Sequence, residues 1–534
     1  MQWVLDHFFG TQLKQATARR LQELSHAPTL ASQKNTRDLL ARFNAQPGPK
    51  VTLGETLWGE PVNVPLAEIV RAYGQISGGM GSGKSFTAGN IAKALIDRAA
   101  YDPTIGFGCI DAKRELYLII LFLLAQKLNT LDRTDPAAAE RLRRRIFICD
   151  FSCTDPLTSY NILARWPGTD LDFFASERTD LIFDLLEGGD DLSLSGKTLL
   201  QKLILLLSEF SLPIGYLNRV LDNEDLRQDL VARCRHEAVA GYFRQRFRDV
   251  PKPTIAALQR RIEGLLVSEG VRLALNGPSA PDFRRLQDES AIVLVNCFGS
   301  NISRRVRRFL HCLGVSDATH SILPRQTREN PFVWGCDESQ NFFATPALRQ
   351  NMAEVLTTGR SFGSYFLFLT QNISTAIQDS RMLAILHTNI RWALALRGEP
   401  ADCAFLKPAL PVTGRRVRPE MNPFADKSFY SLNDERALAL DEVAHLPDRV
   451  GYLWFKALSP EVIKIKTQEL AVPHGRELEA ATLSLQRDPS IGMRLSRREY
   501  ERLIAERDRE WREEESDMAA NLESAYQRAR GGRL

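Results

Sequence analysis

Residues 78–85, Gly78-Gly79-Met80-Gly81-Ser82-Gly83-Lys84-Ser85, carry the spacing G-x-x-x-x-G-K-[ST]. The chemistry of that spacing is phosphate binding. Glycines let successive backbone N–H groups turn inward around phosphate oxygens, the lysine neutralises the β and γ phosphates, and the serine hydroxyl is offered to Mg2+. Gly78, Gly79, Gly81, Ser82, Gly83, Lys84 and Ser85 are therefore expected to bind ATP, with Ser85 a ligand of its Mg2+. Asp337 and Glu338 follow the apolar run FVWGC and should emerge from the carboxyl end of a buried strand, where open parallel sheets bind their ligands. Asp337 would hold Mg2+ through water, and Glu338 would polarise the water that attacks the γ-phosphate. Gln371 ends the next strand, YFLFLTQ, and is expected to sense the γ-phosphate. Arg360, in TTGRSFG, is flanked by Gly359 and Gly363; from the residues alone it reads equally as a solvated arginine or as one that reaches a neighbouring subunit's ATP. A second GKT, at 196–198, has Asp191 where the first glycine belongs and no strand before it, so it reads as helix surface.

The elements around these residues follow from hydrophobic period. YGQIS feeds the glycine-rich loop and KSFTAGNIAKALIDRA follows it at helical spacing, giving strand, loop, helix. Short apolar runs ending in an acid, IGFGCID at 105–111 and IFICD at 146–150, read as buried parallel strands. Strands return at 291–296, 332–336, 365–369 and 392–396, separated by helical stretches. The expected fold class is α/β, a RecA-like motor with a mostly parallel sheet and helices on both faces. Its parts run as an N-terminal helical segment (1–50), a first motor part (51–165), an all-α insertion (166–285), a second motor part (286–470) and a charged helical tail (471–534). A hairpin over 452–467 is expected to close the sheet edge. In the tail, Ser496 and Glu499 form a capping box, and Ile504, Trp511, Met518 and Ala525 recur every seven residues, read first as one stripe packed on its own domain.

The chain of 534 residues exceeds the size of a single core; 44% of it is apolar and 25% charged, as in soluble globular proteins. A net charge of +4 argues for no nucleic acid by itself, so any basic surface must be local. Three arginine clusters, at 141–145, 304–308 and 415–418, read first as solvated faces. Arg415, Arg416 and Arg418 lie in a strand-free, proline-containing stretch and are the candidate DNA-contacting loop. Eight scattered cysteines and a start without a secretory pattern point to the cytoplasm. The longest apolar run, LYLIILFLLA, is half of what a bilayer-crossing helix needs. Membrane contact, at the inner membrane, would come through a partner.

Several passages resemble the HerA/FtsK superfamily of hexameric DNA-pumping ATPases, most closely the type IV secretion coupling proteins of the TraD and TraG kind. ISGGMGSGKS is similar to the family's phosphate loop, CIDAKREL to its strand ending in Asp-x-Lys-x-Glu (Asp111, Lys113, Glu115), and WGCDESQNF to its acidic strand. GRSFG, then a strand and Thr-Gln, is similar to its arginine and glutamine motif, with Arg360 eleven residues before Gln371. YNIL at 160–163 stands where the family has an Asn-Pro-Leu-like segment, without its proline, and the family's usual transmembrane helices have no counterpart here. The resemblance implies a homo-hexamer that pumps DNA using ATP and Mg2+, with Arg360 as a finger across the subunit interface and relaxase or secretion-channel proteins as partners. Its rivals are a secretion-assembly ATPase that exports protein and a HerA-like helicase in repair or phage defence.

Overall fold

In the computed structural model the described residues are 30–186, 194–412, 429–488, 491–492 and 494–509. Among them are eleven strands: β1 Lys50–Thr56, β2 Pro61–Pro65, β3 Tyr73–Ser77, β4 Gly106–Asp111, β5 Ile146–Asp150, β6 Ile292–Asn296, β7 Phe332–Cys336, β8 Ser364–Thr370, β9 Ile390–Leu396, β10 Val450–Phe455 and β11 Ile463–Thr467. The chain divides into two compact units, the first made of Met1–Ile91, Thr370–Thr375 and His387–Leu470 and the second of Ala92–Leu369, Ala376–Leu386 and Ala471–Leu534.

The first unit holds strands in the order β2-β1-β11-β10-β9-β3. β3 and β9 are parallel, while β9, β10, β11, β1 and β2 follow one another antiparallel. The hairpin β10–β11 is present, but it does not close the edge as expected, because β1 pairs with the free side of β11 and β2 extends the sheet further. Strand pairing of this range is decided by non-local backbone bonds, which a local apolar pattern does not report. The helix Leu30–Ala45 also belongs here: Phe43 is fully buried and meets Phe455 edge-on, and Arg42 donates to the Leu458 carbonyl. It packs on this unit rather than standing apart from it.

The second unit holds β8-β7-β4-β6-β5, all parallel. Crossover connections between parallel strands put helices on the faces of the sheet, and β4, β6 and the end strand β5 are buried along their whole length. The run Leu116–Ala125 lies in the helix Glu115–Thr134, whose Leu116 to Leu121 are buried without a break. Between β5 and β6 the described residues form helices and no strand, from Leu171–Leu186 through Phe283–Asp288. That helical insertion is fastened to the helix Arg304–His320 by a buried network. Asp317 pairs with Arg178 and accepts from Trp166 Nε1 (2.8 Å) and Tyr160 Oη (2.6 Å). The GKT at 196–198 lies in the helix Leu194–Glu209, where Lys197 pairs with Asp180 at 2.6 Å.

The capping box forms, with Ser496 N–H donating to Glu499 at 2.9 Å and Glu499 N–H to Ser496 Oγ at 3.3 Å. Leu495, Tyr500 and Ile504 pack on Leu157 and Leu273 of the same unit. Trp511, Met518 and Ala525 lie outside the described residues, as do Asp191 and the cluster Arg415, Arg416 and Arg418. No helix among the described residues is long and apolar enough to cross a membrane.

Candidate nucleotide site

β3, buried at every residue, delivers the chain into the glycine-rich loop, and the helix Lys84–Ala99 begins at its lysine. Three of the loop's glycines have positive φ: Gly78 at 157°, Gly81 at 74° and Gly83 at 105°. A side chain on Gly78 would also meet Ser82 Oγ at 2.6 Å and the Arg397 carbonyl at 3.2 Å, so the turn admits only glycine there. The loop is tied to its own unit on both flanks. Gly78 N–H donates to the Thr370 carbonyl at 3.2 Å and Gly79 N–H to the Arg397 carbonyl at 2.6 Å. Ser82 Oγ donates to the Gly79 carbonyl at 2.9 Å. Lys84 is buried, and its ammonium spans the loop from inside, donating to the carbonyls of Gly78 (2.7 Å) and Gly79 (2.8 Å). Ser85 follows in the first helical turn, half-buried. Gln371 directly follows Thr370, whose carbonyl accepts from Gly78, so the sequence-expected sensor stands beside the loop within this unit.

Asp337 and Glu338 emerge from the carboxyl end of β7 in the second unit. The parallel ladders pair Ile110 with Cys336, and Asp111 and Asp150 each with Asn296, so the acids that end β4, β5 and β7 lie at one end of their sheet. Asp337 is buried and its N–H donates to the Ile110 carbonyl at 3.1 Å. Burial, then the charges of Asp111 and Glu338, push its carboxyl well above the ordinary carboxylate range, against a smaller opposite pull from Lys113. Asp111 is fully buried and accepts from the N–H groups of Lys113 (2.6 Å), Arg114 (2.9 Å) and Tyr117 (2.8 Å), which fastens the start of the helix Glu115–Thr134. Burial raises its carboxyl as well. Glu338 has φ of 50°, a conformation that costs an L residue on the order of 1–2 kcal/mol and collects at functional sites. Both its oxygens are engaged: Lys113 Nζ forms an ion pair with Oε1, and Gln340 Nε2 donates to Oε2 at 2.6 Å. In the sequence Lys113 is only the middle residue of Asp-x-Lys-x-Glu; the fold pairs it with Glu338.

Arg360 is placed elsewhere. It is exposed in the 3₁₀ turn Gly359–Phe362 at the amino end of β8, and the ladder pairs Ser364 with Phe332 at that end and Phe368 with Cys336 at the other. At roughly 3.3 Å per strand residue, Arg360 is about 15–20 Å from Asp337 and Glu338 of its own chain. The turn is held by close packing and by a buried arginine. Gly363 has φ of 69° and a Cβ there would stand 2.1 Å from the Arg328 carbonyl. Arg325, buried, donates to the carbonyls of Gly363 (2.8 Å), Thr327 (2.9 Å) and Asn330 (3.0 Å). Nothing in the local sequence around Arg325 signalled that task.

Among the described residues no cluster of three His, Cys, Asp or Glu side chains is arranged to hold a metal ion. Mg2+ does not need one. It keeps waters and takes one or two protein oxygens together with substrate phosphates, and a buried carboxyl repelled by neighbouring acids, such as Asp337, is a donor that a cation would relieve.

A glycine-built phosphate loop between a buried strand and a helix, with an acidic pair ending a parallel strand, defines the RecA-like P-loop ATPase fold. Solved structures share it. Plasmid coupling protein TrwB bound to the GTP analogue GDPNP aligns at TM-score 0.50 and 15% identity, over 82% of this chain and 94% of that one. TrwB with ADP and Mg2+ aligns at 0.50 and 14%, over 86% and 94%. VirB4 of Thermoanaerobacter pseudethanolicus aligns at 0.51 and 15%, over 80% and 98%. At the level of sequence, no family model and no curated protein matches the chain.

Proposed function

We propose that this protein is a Mg2+-dependent ATPase of the type IV secretion kind that moves DNA as a homo-hexameric ring. The observation that carries the reading is the phosphate loop, with a buried Lys84 spanning the carbonyls of Gly78 and Gly79 and glycines at positive φ. ATP would lie on the N–H groups of Gly78 to Ser85, with Lys84 on its β and γ phosphates. Ser85 and, through water, Asp337 would hold Mg2+, which supplies charge neutralisation on the phosphates. Glu338 would orient the attacking water, Gln371 would report the γ-phosphate, and Arg360 would complete the site of the next subunit. The DNA part of the proposal leans on the resemblance of the motifs and on the fold shared with TrwB. The equal likeness to VirB4 supports a second reading, an ATPase that serves protein export or assembly.

ATPase rate measured with and without double-stranded and single-stranded DNA separates the two. DNA should raise the rate, and the stimulation should weaken as salt rises, because phosphate contacts release counterions. Replacing Arg415, Arg416 and Arg418 with Ala should weaken the apparent DNA affinity and leave the basal rate alone. A rate indifferent to DNA at every salt concentration favours the export reading.

A further inference from the structure

Beside the phosphate loop stands an arginine that no phosphate-loop motif contains. Arg449 immediately precedes β10 and has φ of 64°, left-handed backbone in a residue with a long side chain. That conformation is unfavourable for an L residue and persists only where its surroundings impose it. Two backbone bonds impose it here: Arg449 N–H donates to the Ser82 carbonyl in the loop at 3.1 Å, and Thr467 N–H donates to the Arg449 carbonyl at 2.7 Å. The side chain is thereby laid along Gly83. A Cβ built on Gly83 would find Arg449 Cγ at 3.1 Å, and its three nearest atoms all belong to Arg449.

The guanidinium is held only lightly in this position. Its side chain is 31% exposed, and its ion pair is with Glu469, 3.1 Å away and 79% exposed. Exposed pairs of this kind are weak, because water screens them and two long side chains must be ordered to form them. A polyphosphate on the loop carries several charges and many acceptor oxygens, and guanidinium–phosphate bonds are among the stronger hydrogen bonds, so phosphate would displace the glutamate.

We propose that Arg449 is a nucleotide-binding residue: when ATP or ADP occupies the loop, its guanidinium leaves Glu469 and hydrogen-bonds the nucleotide's phosphates from the Gly83 side, in the same subunit. The proposal rests on the loop being a nucleotide site. It also gives the strained backbone a purpose, since in that conformation the side chain lies along the glycine that precedes Lys84.

Arg449→Gly tests it, because glycine accepts the left-handed backbone while removing the guanidinium. Calorimetric titration of the full chain with ADP and with ATP should show Kd raised about tenfold or more for both, a matching rise in KM, and kcat within about twofold of wild type. The thermal midpoint without nucleotide should not fall, and Arg449→Lys should recover part of the affinity. Unchanged Kd for both nucleotides in Arg449→Gly, in a wild type that binds them, overturns the proposal and leaves the loop's assignment intact. A wild type that binds neither nucleotide overturns the assignment of the loop and this proposal with it.

Discussion

The proposed mechanism gives Lys84 and Glu338 different tasks, and their variants should part accordingly. Lys84 is inside the loop and its ammonium would be the positive charge at the β and γ phosphates, so Lys84→Ala would remove both that counter-charge and the donor to two loop carbonyls. Tight nucleotide binding or turnover should be abolished. Glu338→Gln keeps the loop whole and retains an oxygen that can still accept from Lys113, but the amide cannot take a proton from water. ATP affinity should therefore stay close to wild type while hydrolysis falls by at least about a hundredfold, the order expected for loss of a general base. Equilibrium binding and single-turnover hydrolysis on the same preparations check both halves. Near-normal turnover in Glu338→Gln removes it as the base.

Among the elements, the helical insertion between β5 and β6 carries a buried ion pair that can be tested. Arg178 is 2% exposed in its side chain, Asp317 6%, and Arg178 also lies over the rings of Trp166 and Phe174. Removing one partner of such a pair strands the other charge, which costs about 3–5 kcal/mol. Arg178→Met should lower unfolding free energy in denaturant by that amount, softened by the bonds that Trp166 and Tyr160 still give Asp317. A loss below about 1 kcal/mol would mean the network does not fasten the insertion. None of this was legible in sequence, since Arg178 and Asp317 belong to helices far apart in the chain and each reads locally as an ordinary polar position. What was legible was local. Short apolar runs ending in an acid announced β4, β5 and β7, the loop between strand and helix announced the phosphate cradle, and Ser496 with Glu499 announced a helix start. Edge order in the first unit, the grip of Lys113 on Glu338 and the approach of Arg449 to Gly83 all depend on pairings that only the tertiary fold creates.

At the scale of the whole molecule, Arg360 and the acidic pair stand at opposite ends of their sheet. Strand β8 sets the arginine at the amino end of its sheet, while Asp337 and Glu338 occupy the carboxyl end, so one chain cannot bring its own Arg360 to its own acidic pair without unravelling β8. If Arg360 is the proposed finger, it would act on a neighbour's transferred phosphoryl group, and its loss should cut turnover on the order of a thousandfold while ATP binding persists. Folding should survive, because Arg325 and Gly363 hold the turn and Arg360 itself is exposed. Mixing gives the decisive contrast. Arg360→Ala subunits keep Lys84 and Glu338, and Lys84→Ala subunits keep Arg360, so co-assembled mixtures contain some interfaces with one intact half from each. Those interfaces should hydrolyse ATP, and the recovered rate should pass through a maximum as the ratio is varied, since neither variant alone supplies both halves. Mixtures shown to co-assemble yet inactive at every ratio would make Arg360 a structural residue and leave the γ-phosphate without a guanidinium from the next subunit.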